Sequence, residues 1–193
     1  MSMVDLGPQA RIVAELAQTV GDERPADPTP CPGCAVRNLL GHLLALSVAF
    51  RDAARKDLGP TTDTSPGAVM PDLGPGALAE LPEALDELAE AWRDPAAWTG
   101  FTRAGGVDLP GAVAGAVAAD ELVVHGWDLA RSTGRSYRPD PGALEAAHAF
   151  LLAAAEAPSR GDAPFGAVVP VPSTASLLDR TIGLSGRDPH WRP

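Results

Sequence analysis

Aromatic residues, cysteines, basic side chains and long apolar runs are all scarce in this sequence. Aromatic residues make up only 5% of the chain. The core must therefore be built mostly from Ala, Leu and Val, whose small side chains suit closely packed helices. No apolar run approaches the roughly 20 residues that a membrane-spanning helix needs, so we expect no membrane span. The two cysteines, Cys31 and Cys34, are too few for a disulfide framework.

Acidic residues outnumber basic ones, which gives a formal net charge of −10 and a pI of about 4.7. This excess argues against binding to nucleic acid or to an anionic membrane surface, because both require basic patches. Residues 1–10 contain Asp5 and no basic cluster ahead of an apolar stretch, so we expect no signal peptide. A cytoplasmic location is the default expectation for a chain with so few cysteines.

The apolar residues recur at helical spacing, and the chain of 193 residues is long enough for one domain with a sizeable core. The spacing predicts four long helices, a shorter fifth and a last helical turn or two, over residues 8–20, 35–56, 76–93, 110–132, 141–156 and 175–184. We therefore predict an all-α, up-down four-helix bundle in a single domain over residues 1–193. The Pro-rich tail, residues 157–193, is expected to wrap across the bundle. Helix faces rich in small residues often dimerise, so a homodimer stays open.

Proline and glycine set the expected boundaries. Pro82 fits the first turn of a helix and not its middle, so the third helix is expected to start as late as Leu81. Pro110 suits the first position of the fourth helix. Residues 98–106 are predicted to be irregular with one short extended stretch at most, and residues 57–75 to form a loop.

One pair of polar residues lies at a spacing that suits metal binding. Glu121 and His125 are four residues apart on a predicted helix, which places them on one face about 5–6 Å apart at Cβ. His42 lies in the middle of another helix, on or beside its apolar stripe. On spacing alone, a surface pair and a hydrogen-bonded core histidine are the commoner interpretations. Bundle cores also build metal sites in this way, so spacing leaves both open.

Two longer motifs resemble a known family. Residues 29–42, TPCPGCAVRNLLGH, resemble the N-terminal signature of the mycothiol-dependent maleylpyruvate isomerase family, part of the DinB-like metal-binding superfamily. Residues 120–130, DELVVHGWDLA, resemble its second signature, and residues 165–189 are similar to a subgroup of short members. The resemblance spans nearly the whole chain and implies a DinB-like four-helix bundle.

The resemblance also implies a metal site made by His42, Glu121 and His125. Two imidazoles and one carboxylate leave coordination positions open, as in catalytic zinc sites. Zinc is the first expectation, and nickel, iron(II) and manganese suit the same ligands. Asn38 and Asp128 lie about one turn from the two histidines and are candidates to accept their second N–H. The alternative is that Asn38 caps its helix and Asp128 is a solvated surface residue.

The function implied by the resemblance is thiol chemistry. In the family, a metal-activated thiol, mycothiol, attacks a small electrophile, with isomerisation or S-transfer as the outcome. Full-length maleylpyruvate isomerases carry an additional C-terminal domain, which a chain ending at Pro193 is expected to lack. Maleylpyruvate itself is then a doubtful substrate. The alternatives are a metal-dependent hydrolase or lyase that activates water, and a non-catalytic protein that binds a metal or a small ligand.

Substrate selectivity is expected in the loops at the mouth of the bundle, residues 57–75 and 157–172, because surface loops vary most easily.

Cys31 and Cys34 form a C-x-x-C before a helix, where thiols can be reactive. A thioredoxin-like function would need a βαβ context, which the sequence does not predict. The family usually has Trp at position 34, so Cys34 either fills space beside the bundle, the favoured interpretation, or adds a thiol near the site. His148, on the fifth predicted helix, is expected to be a packing or hydrogen-bonded residue.

Overall fold

The computed structural model describes residues 3–20, 26–65, 76–156 and 166–193. Its helices are α1 (Gly7–Gln18), α2 (Val36–Arg55), α3 (Pro60–Asp63), α4 (Ala77–Ala91), α5 (Gly111–Thr133), α6 (Pro141–Glu156) and α7 (Leu177–Leu184). Two short strands, β1 (Phe101–Ala104) and β2 (Val107–Pro110), follow a 3-10 turn at Pro95–Trp98. The predicted all-α class is confirmed, and the four long helices start and end within about two residues of their predicted bounds.

Helices α1, α2, α4 and α5 form the four-helix bundle. Helix α1 packs on α4 and α5, and α2 packs on the same two helices. The ring therefore runs α1–α4–α2–α5, with α1 opposite α2 and α4 opposite α5. Within the described part of the chain, no helix combines the length and the apolar character needed to cross a membrane.

Aliphatic side chains and two tryptophans fill the interior of the bundle. The largest fully buried side chains are Trp92, Trp127, Leu6, Leu39, Leu40, Leu43, Leu81, Leu85, Leu88, Leu122, Leu129 and Leu151. Helix α5 is buried around most of its circumference because alanine, glycine and valine make up much of it. A helix that is apolar on every side belongs in the middle of a fold, and α5 accordingly contacts α1, α2 and α6.

A β-hairpin replaces the irregular segment that the sequence predicted between the third and fourth long helices. Strands β1 and β2 pair antiparallel, and Gly105 and Gly106 form the turn with φ of 63° and 77°. Two successive residues with positive φ are typical of a tight hairpin turn, and Gly-Gly is one of its sequence signals. Pro110 ends β2, so α5 begins one residue later than predicted, at Gly111.

Helix α4 starts at Ala77 and continues through Pro82, so the later start near Leu81 is wrong. A proline inside a helix removes one backbone hydrogen bond and costs about 3 kcal/mol. Leu81, Leu85 and Leu88 on the same helix are all 0% exposed. Their burial stabilises the helix by roughly 2 kcal/mol each, which outweighs the local cost.

The described part of the C-terminal tail packs against the bundle, as expected. Ile182 lies in a buried cluster with Trp127 of α5 and Leu151 of α6. The Val169 N–H donates to the Gly183 carbonyl at 2.9 Å, which holds the segment before α7 against that helix. Residues 157–165 lie outside the described residues.

The predicted loop at 57–75 includes the short helix α3. Its residues 66–75 also lie outside the described residues.

Glycine at position 115 is needed for the close contact of α5 with two tryptophans. A Cβ at Gly115 would lie 2.5 Å from the Trp98 ring and 2.9 Å from the Trp92 ring. We predict that Gly115→Leu lowers the free energy of unfolding by about 3 kcal/mol, the upper range of overpacking effects. Urea denaturation measures the change. Gly59→Ala is the control, because no atom of the residues that the structure describes lies within 4 Å of a Cβ there; equal losses in both variants would contradict the packing explanation.

Candidate metal centre

The three residues singled out as ligands lie together on adjacent helices. His42 comes from the middle of α2, and Glu121 and His125 come from the centre of α5. The Glu121 Oε2 atom is 3.3 Å from His42 Nε2 and 3.0 Å from His125 Nε2. One ligand atom from each of the three residues lies within 4.8 Å of the other two. We call these three residues the His–Glu–His cluster.

The packing of α2 on α5 fixes the positions of the two imidazoles. Leu39 and Leu43, which flank His42 along α2, are 0% exposed and hold that helix face against the bundle. The rings of His42 and His125 meet edge to face, with centroids 4.7 Å apart and planes at 83°. Because both rings come from well-packed helices, the cluster is preorganised, with no loop among its residues.

Solvent reaches the cluster from one side. The side chains of His42 and Glu121 are 23% and 21% exposed, whereas that of His125 is 9% exposed. A small molecule could thus approach His42 and Glu121, while His125 forms the inner wall.

Asp128 is bound to the far side of the His125 ring. Its Oδ2 lies 3.0 Å from His125 Nδ1, and the Asp128 side chain is 0% exposed. A carboxylate there accepts the Nδ1 hydrogen, which fixes the orientation of the ring and directs Nε2 toward Glu121. Asp128 is therefore a buried hydrogen-bond partner of His125, and the alternative of a solvated surface residue is excluded.

Arg187, which no sequence motif singled out, is the second charged partner of Asp128. It lies in the tail after α7, and its Nε and Nη2 are 3.2 Å and 3.1 Å from Asp128 Oδ2. Its Nη1 donates to the Ser185 carbonyl at 3.2 Å. The local sequence around Arg187 carries no signal for this contact, because the partners are 59 residues apart.

The charges of the site stabilise one another. Burial alone would raise the pKa of Glu121, but hydrogen bonds from His125 and His42 outweigh it and keep that pKa well below its usual range. Burial would lower the pKa of His125, yet its bonds to Asp128 and Glu121 raise it to about 10. At neutral pH the Glu121 carboxylate is therefore ionised, as a metal ligand must be, and His125 is protonated, so a cation bound there would displace the proton on His125 Nε2.

The other polar candidates take different positions. Asn38 Oδ1 accepts the Ala35 N–H at 3.2 Å, a contact at the start of α2. His148 Nδ1 lies 3.1 Å from Thr181 Oγ1 in the interface of α6 and α7. Among the described residues, the group of potential metal ligands contains the His–Glu–His cluster and neither cysteine.

Removing Arg187 is expected to destabilise the protein, because Asp128 would stay buried with one partner fewer. Breaking a buried ion pair in this way costs about 3 kcal/mol, so we predict that loss for Arg187→Met in chemical denaturation. Arg180→Met is the matched control in the same tail, since the buried Arg180 Nε atom has no hydrogen-bond partner among the described residues. We expect the control to lose less than about 1 kcal/mol. A loss of the same size in both variants would show that the tail packs through its aliphatic parts alone.

Comparisons with known proteins agree with this fold. Residues 6–130 match the family model of the mycothiol maleylpyruvate isomerase N-terminal domain. Two crystal structures are similar: a mycothiol-dependent maleylpyruvate isomerase, at 19% identity and a TM-score of 0.55, and a histidine-to-alanine mutant with the same description, at 18% and 0.58. Each alignment covers 78% of this chain and 70% of the other. No curated protein matches. Since the family model covers well over half of the chain, this chain belongs to the mycothiol maleylpyruvate isomerase N-terminal domain family.

Proposed function

We propose that the protein is a metal-dependent enzyme that transfers a low-molecular-weight thiol to a small electrophile, with mycothiol as the thiol. His42, Glu121 and His125 would hold the divalent cation, with zinc as the first choice. The observation that carries the proposal is the convergence of two imidazole nitrogens and one carboxylate oxygen within 4.8 Å. We also propose that residues 1–193 act as one domain, since the described tail packs on α5 and α6.

The donor set suits a divalent transition metal. Both histidines present Nε2 to Glu121, and the Nδ1 of His125 is already engaged by Asp128. This arrangement gives three protein ligands and leaves room for others, as in catalytic zinc sites. Zinc, nickel, iron(II) and manganese all accept this mixture of nitrogen and oxygen ligands.

A divalent cation held there would lower the pKa of a bound thiol and so supply thiolate at neutral pH. The residues of the chain orient the site for that chemistry. Asp128 fixes the ring of His125, and Arg187 compensates the buried charge of Asp128. Glu121 keeps its negative charge at neutral pH because its pKa is low. The partial exposure of His42 gives thiol and electrophile a path from solvent.

The family supports mycothiol as the thiol. The matching family model and both similar crystal structures carry mycothiol in their descriptions. Their identity to this chain is 18–19%, so they support the fold and the type of cosubstrate more strongly than any one electrophile. We therefore propose the class of reaction, thiol transfer or thiol-dependent isomerisation, and leave the electrophile unspecified.

Metal content tests the ligand assignment. We expect about one divalent ion per chain in the purified, untagged protein and none in His42→Ala or His125→Ala, measured by elemental analysis. His148→Ala is the matched control and should keep its metal, because His148 bonds Thr181. Cys34→Ser should also keep it. Stoichiometric metal in His42→Ala would refute the assignment, and loss of metal in Cys34→Ser would point to a cysteine ligand.

Dependence on both metal and thiol tests the reaction class. With mycothiol and monochlorobimane as a general electrophile, we expect the metal-loaded protein to form the fluorescent conjugate at least about tenfold faster than the chelated protein. Glu121→Gln should resemble the chelated protein, since it lacks the anionic ligand. A rate that is independent of metal would contradict thiol activation. Turnover of an ester or amide substrate without any thiol would instead support a hydrolase.

A further inference from the structure

The two cysteines lie at the ends of one tight turn before α2. The Cys34 N–H donates to the Cys31 carbonyl at 3.1 Å, and Gly33 between them has φ of 73°. A four-residue turn with this hydrogen bond brings its end residues within about 7 Å at Cα. Disulfides span about 4.4–6.8 Å at Cα, so the backbone already holds the pair at a suitable separation.

Neighbouring contacts hold this turn in place. Thr29, which is 7% exposed, donates its hydroxyl to the Cys34 carbonyl at 2.8 Å and accepts the Cys31 N–H at 3.2 Å. The Val36 N–H donates to the Asp27 carbonyl at 3.0 Å on the other side of the turn. The two thiols can therefore react with each other without rearrangement of α2.

The two sulfurs are chemically unequal. Cys31 is half-buried and open to solvent, whereas Cys34 is 5% exposed. The adjacent Cys34 thiol lowers the pKa of Cys31 to about 6, with help from the charges of Arg187 and His125 and against the effect of burial. The proximity of Cys31 and burial raise the pKa of Cys34, whose Sγ donates to the Ala35 carbonyl at 3.5 Å. A partly exposed thiolate beside a buried thiol is typical of an attacking and a resolving cysteine.

We propose that Cys31 and Cys34, in the turn before α2, form a thiol–disulfide exchange site, with Cys31 attacking low-molecular-weight disulfides and Cys34 resolving the product. The Cys31 thiolate attacks one sulfur of the disulfide, forms a mixed disulfide and expels a thiolate, which takes up a proton from solvent. Cys34 then loses its proton, attacks the Cys31 sulfur and expels the second thiol. The protein gains one disulfide and the small disulfide is reduced to two thiols, so electrons and atoms balance.

The charge of Arg187 links the cysteine pair to Asp128. Arg187, which binds Asp128, also acts electrostatically on Cys31. Oxidation would remove the Cys31 thiolate and with it one negative charge near Arg187. The exchange needs no metal, so this inference stands independently of the proposed function.

Glutathione disulfide is a suitable probe, with intact-mass and peptide analysis as the readout. We expect the wild type to lose its two thiol hydrogens and to yield a linked Cys31–Cys34 peptide without retained glutathione. Cys34→Ser should accumulate one glutathione on Cys31, because the resolving thiol is gone. Cys31→Ser should react at least about tenfold more slowly, because Cys34 is buried and protonated.

Two outcomes would overturn the proposal. One is a Cys31→Ser variant that reacts as fast as Cys34→Ser. The other is a wild type that keeps both thiols free in excess disulfide. The wild type is assayed with and without its metal, and because the second outcome is read on the wild type, a folding defect in a serine variant cannot by itself decide the result. Exchange in both states, together with failure of the metal-content test, would support the cysteine pair and refute only the metal proposal.

Discussion

The buried carboxylate of Asp128 is the constraint on which the site and the tail depend. Burial of a side chain that is 0% exposed in its charged form costs several kcal/mol of desolvation free energy, which ion pairs and hydrogen bonds must offset. Asp128 meets this requirement with His125 from its own helix and Arg187 from the tail. A single side chain thus orients an imidazole of the cluster and fastens the C-terminal segment to α5. The family model ends at residue 130, so Arg187 extends the site beyond the matched region.

Small residues make this arrangement geometrically feasible. Helix α5 carries glycine where aromatic side chains approach most closely: a Cβ at Gly115 would lie 2.5 Å from Trp98, and one at Gly126 would lie 2.8 Å from the Tyr137 hydroxyl. Trp92, Trp98 and Tyr137 therefore pack closely against the most buried helix. Tyr137 also links α1 to α5, since its hydroxyl accepts from Gln9 at 2.8 Å and donates to the Val123 carbonyl at 2.8 Å. Close packing of α5 keeps Glu121 and His125 at a fixed distance from α2.

Local spacing predicted the long helices and the Glu121–His125 pair, because both depend on helical periodicity. The hairpin was missed since each strand has only four residues, too few for a clear alternation, although Gly105-Gly106 was a usable signal. Pro82 misled because proline favours the first turn of a helix and so a later start near Leu81, whereas burial of the leucines on α4 decides the outcome. Spacing from His125 pointed to Asp128, but Arg187 could not be found from the sequence, since its partner is 59 residues away and its own neighbours in sequence carry no spacing signal.

The order of helices in the ring has a consequence for the folding kinetics. Of the four neighbouring pairs, only α2 and α4 follow each other among the bundle helices, and the other three pairs join helices further apart in sequence. Folding rates fall as the mean sequence separation of contacts rises, because long loops must close before their contacts form. This bundle should therefore fold more slowly than one of equal size built from successive helical hairpins. Helices α2 and α4 can associate early, but the Glu121 and His125 side chains join His42 only when α5 has docked, so metal binding should report on a late step.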